Sequence, residues 1–228
     1  MGRSDLYKGI IETLKSITKY DGYTVFADFV AMLRLEMVVI LHRKDLAEES
    51  KCVADKYNAE EKEKFCNAME MLMKLMESYI EEKCFYDVLG KIFHEMDMNS
   101  KATGQFFTPQ HLADLCGMLA IDKAVIEEEI KSKGFFKVQE PACGGGAMIL
   151  AVATAVAKLG YNPQKIMLVT ACDIDSRCVD MCYVQLALYG IPAVVVHGNT
   201  LTLREWDCYK TPMYWLECWG MREAMKWT

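Results

Sequence analysis

The stretch from Glu140 to Gly146 reads Glu-Pro-Ala-Cys-Gly-Gly-Gly and is the most informative part of the sequence for the fold. It follows a short apolar run, Phe135 to Glu140, that predicts a strand, and it precedes a helical pattern from Ala147 to Leu159. Three consecutive glycines at a strand-to-helix turn let a ligand approach the backbone, because no Cβ stands in the way. Such a turn is typical of a site for a nucleoside-containing cofactor.

The residues that follow continue the same alternation of strands and helices. Strand-like runs extend from Ile166 to Asp173 and from Ala193 to His197, and the helical segment from Arg177 to Leu188 lies between them. This order predicts βαβ units and a parallel sheet. Asp173 ends the second strand, where a carboxylate can accept hydrogen bonds from both hydroxyls of a ribose. We therefore expect Asp173 to bind ribose.

Two other nucleotide-binding patterns are not matched by the glycine turn. A dinucleotide site favours Gly-x-Gly-x-x-Gly/Ala, but the sixth residue counted from Gly144 is Ile149, which disfavours a nicotinamide cofactor. A phosphate-binding loop would continue with Gly-Lys-Ser/Thr, and the turn is followed by no such residues.

The first hundred residues have a different pattern, without proline and with apolar residues at helical spacing. One helix face is predicted to consist of Phe65, Met69, Leu72, Met73, Met76, Tyr79 and Ile80. We predict an α-helical N-terminal domain over residues 1–100 and an α/β domain over residues 101–228. The fold class is thus α/β, a truncated Rossmann-like domain preceded by a helical one.

Composition excludes several classes of protein. The chain has 228 residues and a net charge of −6, which argues against a DNA-binding protein held mainly by a basic surface. Its longest apolar run, Met37 to Leu41, is far shorter than the roughly 20 residues of a membrane span, and no signal-type segment follows Met1, so we expect a cytoplasmic protein without membrane contact. The ten cysteines form no Cys-x-x-Cys pair, so we expect reduced thiols and no metal site.

Two further motifs lie on either side of these strands. Residues 104–109 read Gly-Gln-Phe-Phe-Thr-Pro, with Thr108 predicted as a helix N-cap and Pro109 as the first helical residue, where backbone N–H groups would favour a carboxylate. After the third strand, residues 197–201 read His-Gly-Asn-Thr-Leu, and the Asn199 amide oxygen could accept a hydrogen bond from an adenine amino group.

In this order the four motifs resemble those of adenine-N6 DNA methyltransferases, in particular the modification subunits of type I restriction systems. The resemblance covers about residues 85–201, and its first part is Tyr86-Asp87-Val88-Leu89-Gly90. It implies a DNA methyltransferase fold with S-adenosylmethionine (SAM) as cofactor. It also implies that Phe106 and Thr108 contact the methionine end of SAM. The floor of the site would be formed by Glu140, Ala142, Cys143 and Gly144. By the same resemblance Asp173 and Ile174 hold the ribose and adenine, and Asn199 contacts the adenine amino group.

Three nearby residues also have purely structural interpretations. Thr108 could serve only as a helix cap, and Cys143 only as a small residue in the turn. Asp175 is interpreted as the cap of the helix that begins near Arg177.

The catalytic motif of this family is absent as written. Its members hold the acceptor adenine, flipped out of the duplex, with Asn/Asp-Pro-Pro-Tyr/Phe, whereas none of the five prolines of this chain is adjacent to another. The nearest stretch is residues 211–214, Thr-Pro-Met-Tyr, so Thr211, Pro212 and Tyr214 are weak catalytic candidates.

The segment after Leu201 is too short for the four further strands of a complete methyltransferase sheet, and it is rich in aromatic residues. An unfinished parallel sheet leaves an edge with unpaired backbone groups. We expect this tail either to fold back as a fourth strand or to pack against a second copy or another subunit. The second arrangement would give a homodimer or hetero-complex, which we predict.

These observations leave three functions open. The first is a SAM-dependent DNA adenine-N6 methyltransferase-like protein with weak or no activity on its own, which contacts DNA with the help of a recognition subunit. The second is a noncatalytic SAM-binding or assembly subunit of a restriction-modification system. The third is a methyltransferase that acts on RNA, protein or a small molecule.

Overall fold

The computed structural model describes residues 2–41, 43–96 and 108–224. Its first part is helical, with a short 3₁₀ turn at Lys44–Leu46. The helices are α1 Arg3–Lys15, α2 Gly22–Leu41, α3 Ala47–Ala54, α4 Ala59–Glu81 and α5 Val88–Glu95. No helix in the described residues is both long and apolar enough to cross a membrane.

Helix α4 forms where the sequence predicts a helix. Asn58 caps it by accepting a hydrogen bond from the Glu61 N–H, and the Glu61 carboxylate accepts one from the Asn58 N–H in return. Phe65, Leu72 and four further residues of the helix are buried. Met73 is 51% exposed, so its assignment to the buried face was wrong. At 100° per residue it lies about 80° from Phe65, at the margin of the apolar stripe.

The second part alternates between helices and strands. The strands are β1 Phe136–Glu140, β2 Met167–Asp173, β3 Ala193–Asn199 and β4 Arg204–Lys210. The helices are α6 Gln110–Ala120, α7 Lys123–Lys133, α8 Ala147–Lys158, α9 Pro163–Ile166, α10 Ser176–Leu188, α11 Pro212–Leu216 and α12 Trp219–Ala224. The prediction of a mixed α/β fold is confirmed.

The four strands form one sheet in the order β1-β2-β3-β4. The first three are parallel, with Val138 opposite Val169 and Ala171 opposite Val195. Strand β4 runs antiparallel to β3, with an irregularity in register between His197 and Gly198. The tail therefore folds back as a fourth strand and covers the edge of β3, the first of its two predicted arrangements.

The two faces of the sheet are covered differently. Helix α8 packs against β1, and α10 against β2 and β3, so that Val169, Ala171 and Val195 on this face are fully buried. On the opposite face Leu168 packs with Tyr214 and Trp219 of the C-terminal helices. Thr170, two residues further along β2 on that opposite face, is exposed. The second face is therefore covered near the amino ends of the strands.

The helical and α/β parts share one hydrophobic core. The Phe85 and Tyr189 rings pack edge to face with centroids 5.4 Å apart, and the Phe85 N–H donates to the Thr154 hydroxyl at 2.8 Å. The predicted domain boundary at residues 100 and 101 lies outside the described residues.

Candidate cofactor site

The glycine turn after β1 has a backbone that only glycine adopts without strain. Gly144 and Gly146 have φ angles of +51° and +99°, in the left-handed region where a side chain would be disfavoured. Gly146 is also the N-cap of α8. The turn therefore needs glycine at both positions, and its backbone connects the end of β1 to the start of α8.

Asp173 joins this turn to the end of β2. One carboxylate oxygen of Asp173 accepts a hydrogen bond from the Gly144 N–H at 2.9 Å, and the other accepts from the Asp175 N–H at 2.9 Å. The Cys143 N–H donates to the Cys172 carbonyl at 2.9 Å, which continues the contact between the two strand ends. A carboxylate has about four acceptor sites, so Asp173 keeps capacity for a ligand.

Asp175 caps α10 as the sequence predicts. Its carboxylate accepts from the Arg177 N–H at 2.9 Å and also forms an ion pair with the Arg177 guanidinium. Its structural interpretation is confirmed.

Thr108 lies just ahead of α6, and the packing of α6 brings it toward the glycine turn. Ala113 of α6 clusters with Ala147 of α8, and Gly117, one turn later, packs against the backbone of Ala151. The two helices therefore run in the same direction, with their N-termini at the same end. Phe106, predicted to share this contact, lies outside the described residues.

The start of α6 differs from the prediction. Pro109 is the N-cap, without a side-chain cap, and its carbonyl accepts from the Leu112 and Ala113 N–H groups. The assignment of Thr108 as N-cap and Pro109 as first helical residue was thus wrong. The Pro109 carbonyl closes the first turn of the helix, and Thr108, which precedes it, is exposed.

Cys143 turns its side chain into the core, where it is 5% exposed. A hydrogen bond with the Cys182 thiol, together with burial, raises the pKa of Cys143 well above its ordinary value. The side chain stays a neutral thiol, so a ligand in the turn would meet the backbone of Cys143. Glu140 is half-buried and accepts from the N–H of the exposed Ala142 at 3.2 Å.

The two residues expected at adenine differ in what they present. Ile174 is 60% exposed beside Asp173 and offers an apolar surface to a ring. The Asn199 amide oxygen already accepts from the Leu201 and Thr202 N–H groups at 3.0 and 3.1 Å. Because these bonds use both lone pairs, the amide NH₂ is the part of Asn199 that suits a ligand, as a donor to a ring nitrogen.

A cavity of about 470 Å³ opens beside Asn199, and neither Asp173 nor Ile174 lines it. Its lining includes Glu140, Pro141, Cys172, Asn199 and Thr200, which come from the carboxyl ends of β1, β2 and β3. The volume is within the range of small-molecule sites. Among the described residues, no group of His, Cys, Asp or Glu side chains is arranged to hold a metal ion.

The model of the N-6 DNA methylase family matches residues 84–214, more than half of the chain. The chain belongs to the N-6 DNA methylase family. It is also 26% identical over 110 residues to the type I restriction enzyme MpnII methylase subunit of Mycoplasma pneumoniae strain M129. That alignment covers 47% of this chain but only 18% of the relative, so the chain matches less than a fifth of the relative's length. No solved structure matches the chain.

The weak catalytic candidates of this chain lie at the other end of the sheet. The Thr211 hydroxyl accepts from the Ala193 N–H at 2.9 Å and donates to the Ile191 carbonyl at 2.8 Å, at the start of β3. Tyr214 is buried beside Phe135 and Trp219. Because β4 runs antiparallel to β3, it carries the chain back by about 20 Å, so Thr211, Pro212 and Tyr214 are not brought to the glycine turn.

Sequence reasoning missed two polar residues that contact the glycine turn or its neighbours. Gln185 of α10 donates from its amide nitrogen to the Gly145 carbonyl at 2.7 Å, and to the Asp87 carboxylate at 2.8 Å. The available signal was a glutamine within an otherwise apolar helical face, and an Asp-x-x-Gly at the start of α5.

Proposed function

We propose that this chain binds SAM across the carboxyl ends of β1, β2 and β3, as the cofactor-binding part of a DNA adenine-N6 methyltransferase of the restriction-modification type. The observation that carries the proposal is the hydrogen bond between the Asp173 carboxylate and Gly144, which puts an acidic group and a glycine turn side by side. In Rossmann-like sheets a nucleoside ligand lies in the crevice outside the carboxyl ends of parallel strands. Three parallel strands with α8 and α10 as connecting helices support that fold assignment.

Each residue of the site has a role in this proposal. Asp173 accepts from the ribose hydroxyls, Ile174 packs on adenine, and Asn199 donates to a ring nitrogen of adenine. Phe106 and Thr108 contact the methionine end, where the amino ends of α6 and α8 offer N–H groups to its carboxylate. The backbone from Glu140 to Gly144 forms the floor.

We also propose that the chain alone transfers little or no methyl group to DNA. Thr211 and Tyr214 lie at the amino ends of the strands, so residues 211–214 would not stack on a flipped adenine held near the glycine turn. This placement also favours the second candidate, a noncatalytic SAM-binding or assembly subunit. Nothing specific favours RNA, protein or a small molecule as acceptor.

A partner is part of the same proposal. A net charge of −6 disfavours DNA binding by the chain alone, so a recognition subunit would supply most contacts to the phosphates. The proposed homodimer or hetero-complex would use the side chains of the tail that stay exposed, such as Trp215, which is 42% exposed, since Tyr209, Tyr214 and Trp219 are buried within their own chain. Light scattering behind a sizing column tests self-association, and a monomeric mass at micromolar concentration would exclude the homodimer.

Calorimetry with SAM and its demethylated product tests cofactor binding. We expect saturable binding by the wild-type chain and a loss of about ten- to a hundredfold in Asp173→Ala, because a charged hydrogen bond contributes about 1.5–3 kcal/mol. Asp122→Ala is the matched control. The Asp122 carboxylate also accepts from two backbone N–H groups, but it does so at the start of α7, away from the turn.

Three results would contradict these expectations. Wild-type affinity in a folded Asp173→Ala chain would refute the ribose assignment. The absence of saturable binding by the wild-type chain would refute the proposed cofactor. An equal loss in Asp122→Ala would attribute the effect to general destabilisation.

A further inference from the structure

Gln185 is a polar side chain in the middle of α10 that is fully buried. Its amide oxygen accepts from the Leu89 N–H at 3.1 Å, and its amide nitrogen donates both to Asp87 at 2.8 Å and to the Gly145 carbonyl at 2.7 Å. One side chain thus connects the start of α5, helix α10 and the glycine turn. Packing alone would be satisfied by an apolar residue, and burial of an amide is tolerated only when its hydrogen bonds are made.

Asp87 is the second member of this network and is 6% exposed. Its Oδ1 atom accepts from the Gly90 N–H at 2.8 Å as the cap of α5, and the same atom accepts from Gln185. A Cβ on Gly90 would lie 2.1 Å from the other oxygen of Asp87. Glycine at position 90 therefore allows the carboxylate to sit over the helix end and face Gln185.

The network also reaches the start of α6. The Asp87 N–H donates to the Gln110 amide oxygen at 3.2 Å, and the Gln110 amide nitrogen donates to Asp114 at 2.7 Å. Gln110 is the first residue of α6, two positions after Thr108. Asp87 is thus linked to both segments that flank the cofactor in the proposed site, through Gln185 to the glycine turn and through Gln110 to α6.

We infer that Gln185 and Asp87 are positioning residues for the cofactor. Gln185 fixes the peptide that follows Gly145, and Asp87 fixes the orientation of the Gln185 amide relative to α5 and α6. A ligand that binds to the backbone of the turn would otherwise have to order that backbone when it binds, at the cost of affinity. The inference concerns SAM affinity and rests on the proposed function, but its claim about the glycine turn also holds for the chain without ligand.

Gln185→Met tests the inference, because methionine has the length of glutamine and neither its donor nor its acceptor. The matched control is Gln164→Met, since the Gln164 amide nitrogen likewise donates to a backbone carbonyl, that of Tyr189, at 2.9 Å. Two measurements are made well below the melting temperature of each variant: hydrogen exchange of the backbone amides of residues 142–147 without ligand, and calorimetry with SAM. We expect faster exchange and an affinity loss of about tenfold in Gln185→Met, and neither change in Gln164→Met.

Two substitutions of Asp87 give an independent test if Gln185→Met does not fold. Asp87→Asn keeps an oxygen that can accept from both Gly90 and Gln185, so it should keep the exchange rate of the turn and the affinity of the wild type. Asp87→Ala removes that oxygen and should change both. If Asp87 contributed only to the stability of the fold, the glycine turn would exchange at the same rate in Asp87→Asn and Asp87→Ala, whatever the melting temperatures of the two variants.

The outcomes separate this inference from the proposed function. Unchanged exchange in the turn and unchanged affinity in Gln185→Met, with SAM bound by the wild type, would overturn the inference and leave the proposed function intact. Faster exchange in the turn, with no SAM binding by the wild type, would support the positioning of the turn and refute its proposed ligand. Equal exchange and affinity in Asp87→Asn and Asp87→Ala would overturn the role of Asp87.

Discussion

Gly146 shows how one residue type determines the local shape of the site. An ideal Cβ at this position would lie 3.3 Å from the Cys182 sulfur, in addition to the cost of φ at +99°. We expect Gly146→Ala to lower the free energy of unfolding by about 1–3 kcal/mol, measured by urea titration, because both the backbone and the packing oppose the methyl group. The same variant should weaken SAM binding, measured by calorimetry.

Gly160→Ala separates the backbone effect from the effect on the site. Gly160 has φ at +93°, and a Cβ there would meet nothing within 4 Å. The variant Gly160→Ala should therefore lower the free energy of unfolding only by the backbone contribution, about 1 kcal/mol, and should bind SAM with the affinity of the wild type. If Gly160→Ala lost as much stability and as much affinity for SAM as Gly146→Ala, a specific role for the glycine turn would be contradicted.

At the scale of single residues, the sequence predicted those features that local backbone geometry requires. The positive φ angles at Gly144 and Gly146, and the cap that Asp175 provides for α10, follow from short-range geometry, so the sequence pattern predicted the turn and the cap. The lone pairs of Asn199 could not be assigned in this way. Whether they face a ligand or the N–H groups of Leu201 and Thr202 depends on the conformation of the turn before β4.

At the scale of elements, the packing of α6 on α8 depends on a small residue at the contact. An ideal Cβ on Gly117 would lie 2.7 Å from the Ala151 carbonyl carbon, which belongs to the backbone and cannot rotate away. We expect Gly117→Val to lower the free energy of unfolding by about 1–3 kcal/mol in urea titration, because the two helices must separate. Cys116→Val, at an exposed position of the same helix, is the control and should change stability by less than about 0.5 kcal/mol. A similar loss in both variants would attribute the effect to helix propensity.

The three parallel strands were predictable because each is a short apolar run bounded by turn residues, and the alternation with helices fixes their parallel arrangement. The direction of β4 was not predictable from the sequence. Residues 204–210 read Arg-Glu-Trp-Asp-Cys-Tyr-Lys, which has weak alternation and four charged side chains that are exposed or half-exposed. The pairing with β3, the two hydrogen bonds that Thr211 makes at the start of β3, and contacts with distant side chains such as the ion pair between Arg43 and Asp207 define where this segment lies.

At the scale of the whole molecule, an ion pair connects the helical part to the α/β part. Arg34 of α2 contacts Asp180 of α10, and its guanidinium lies 4.5 Å from the centre of the Tyr209 ring in β4. Burial raises the pKa of Asp180 to about 6, and the attraction of Arg34 only partly offsets this effect. Removal of a carboxylate from water is costly even when it is paired.

The pH dependence of stability follows from the sign of that shift. Because the folded chain binds the Asp180 proton more tightly than the unfolded chain, the contribution of Asp180 to stability is greatest below about pH 4 and falls as the pH rises to about 6. We expect the stability of the wild type relative to Asp180→Asn to decrease over this window and to be constant above about pH 7. Urea titrations at a series of pH values measure it, and a relative stability that increases from pH 4 to 6 would show that Arg34 outweighs burial.

Methyl transfer is a property of the whole assembly in our proposal. We expect the purified chain to transfer little or no labelled methyl group from SAM to unmethylated duplex DNA, because the nearest catalytic motif lies at the opposite end of the sheet. Robust turnover by the chain alone would contradict this expectation. A loss of that turnover in Tyr214→Ala would then assign catalysis to residues 211–214.

The sequence by itself determined the order of the motifs, the glycine turn, the acidic end of β2 and the parallel α/β pattern, because periodicity and backbone sterics act over a few residues. The tertiary structure decided which polar atoms meet. Gln185 reaches Asp87 across 98 positions of the chain, and Arg34 reaches Asp180 across 146. It also placed Thr211 beside Ala193, at the end of the sheet away from Asp173. Such contacts form only when distant segments pack together, since no local preference of the chain specifies the partner of a buried amide or carboxylate.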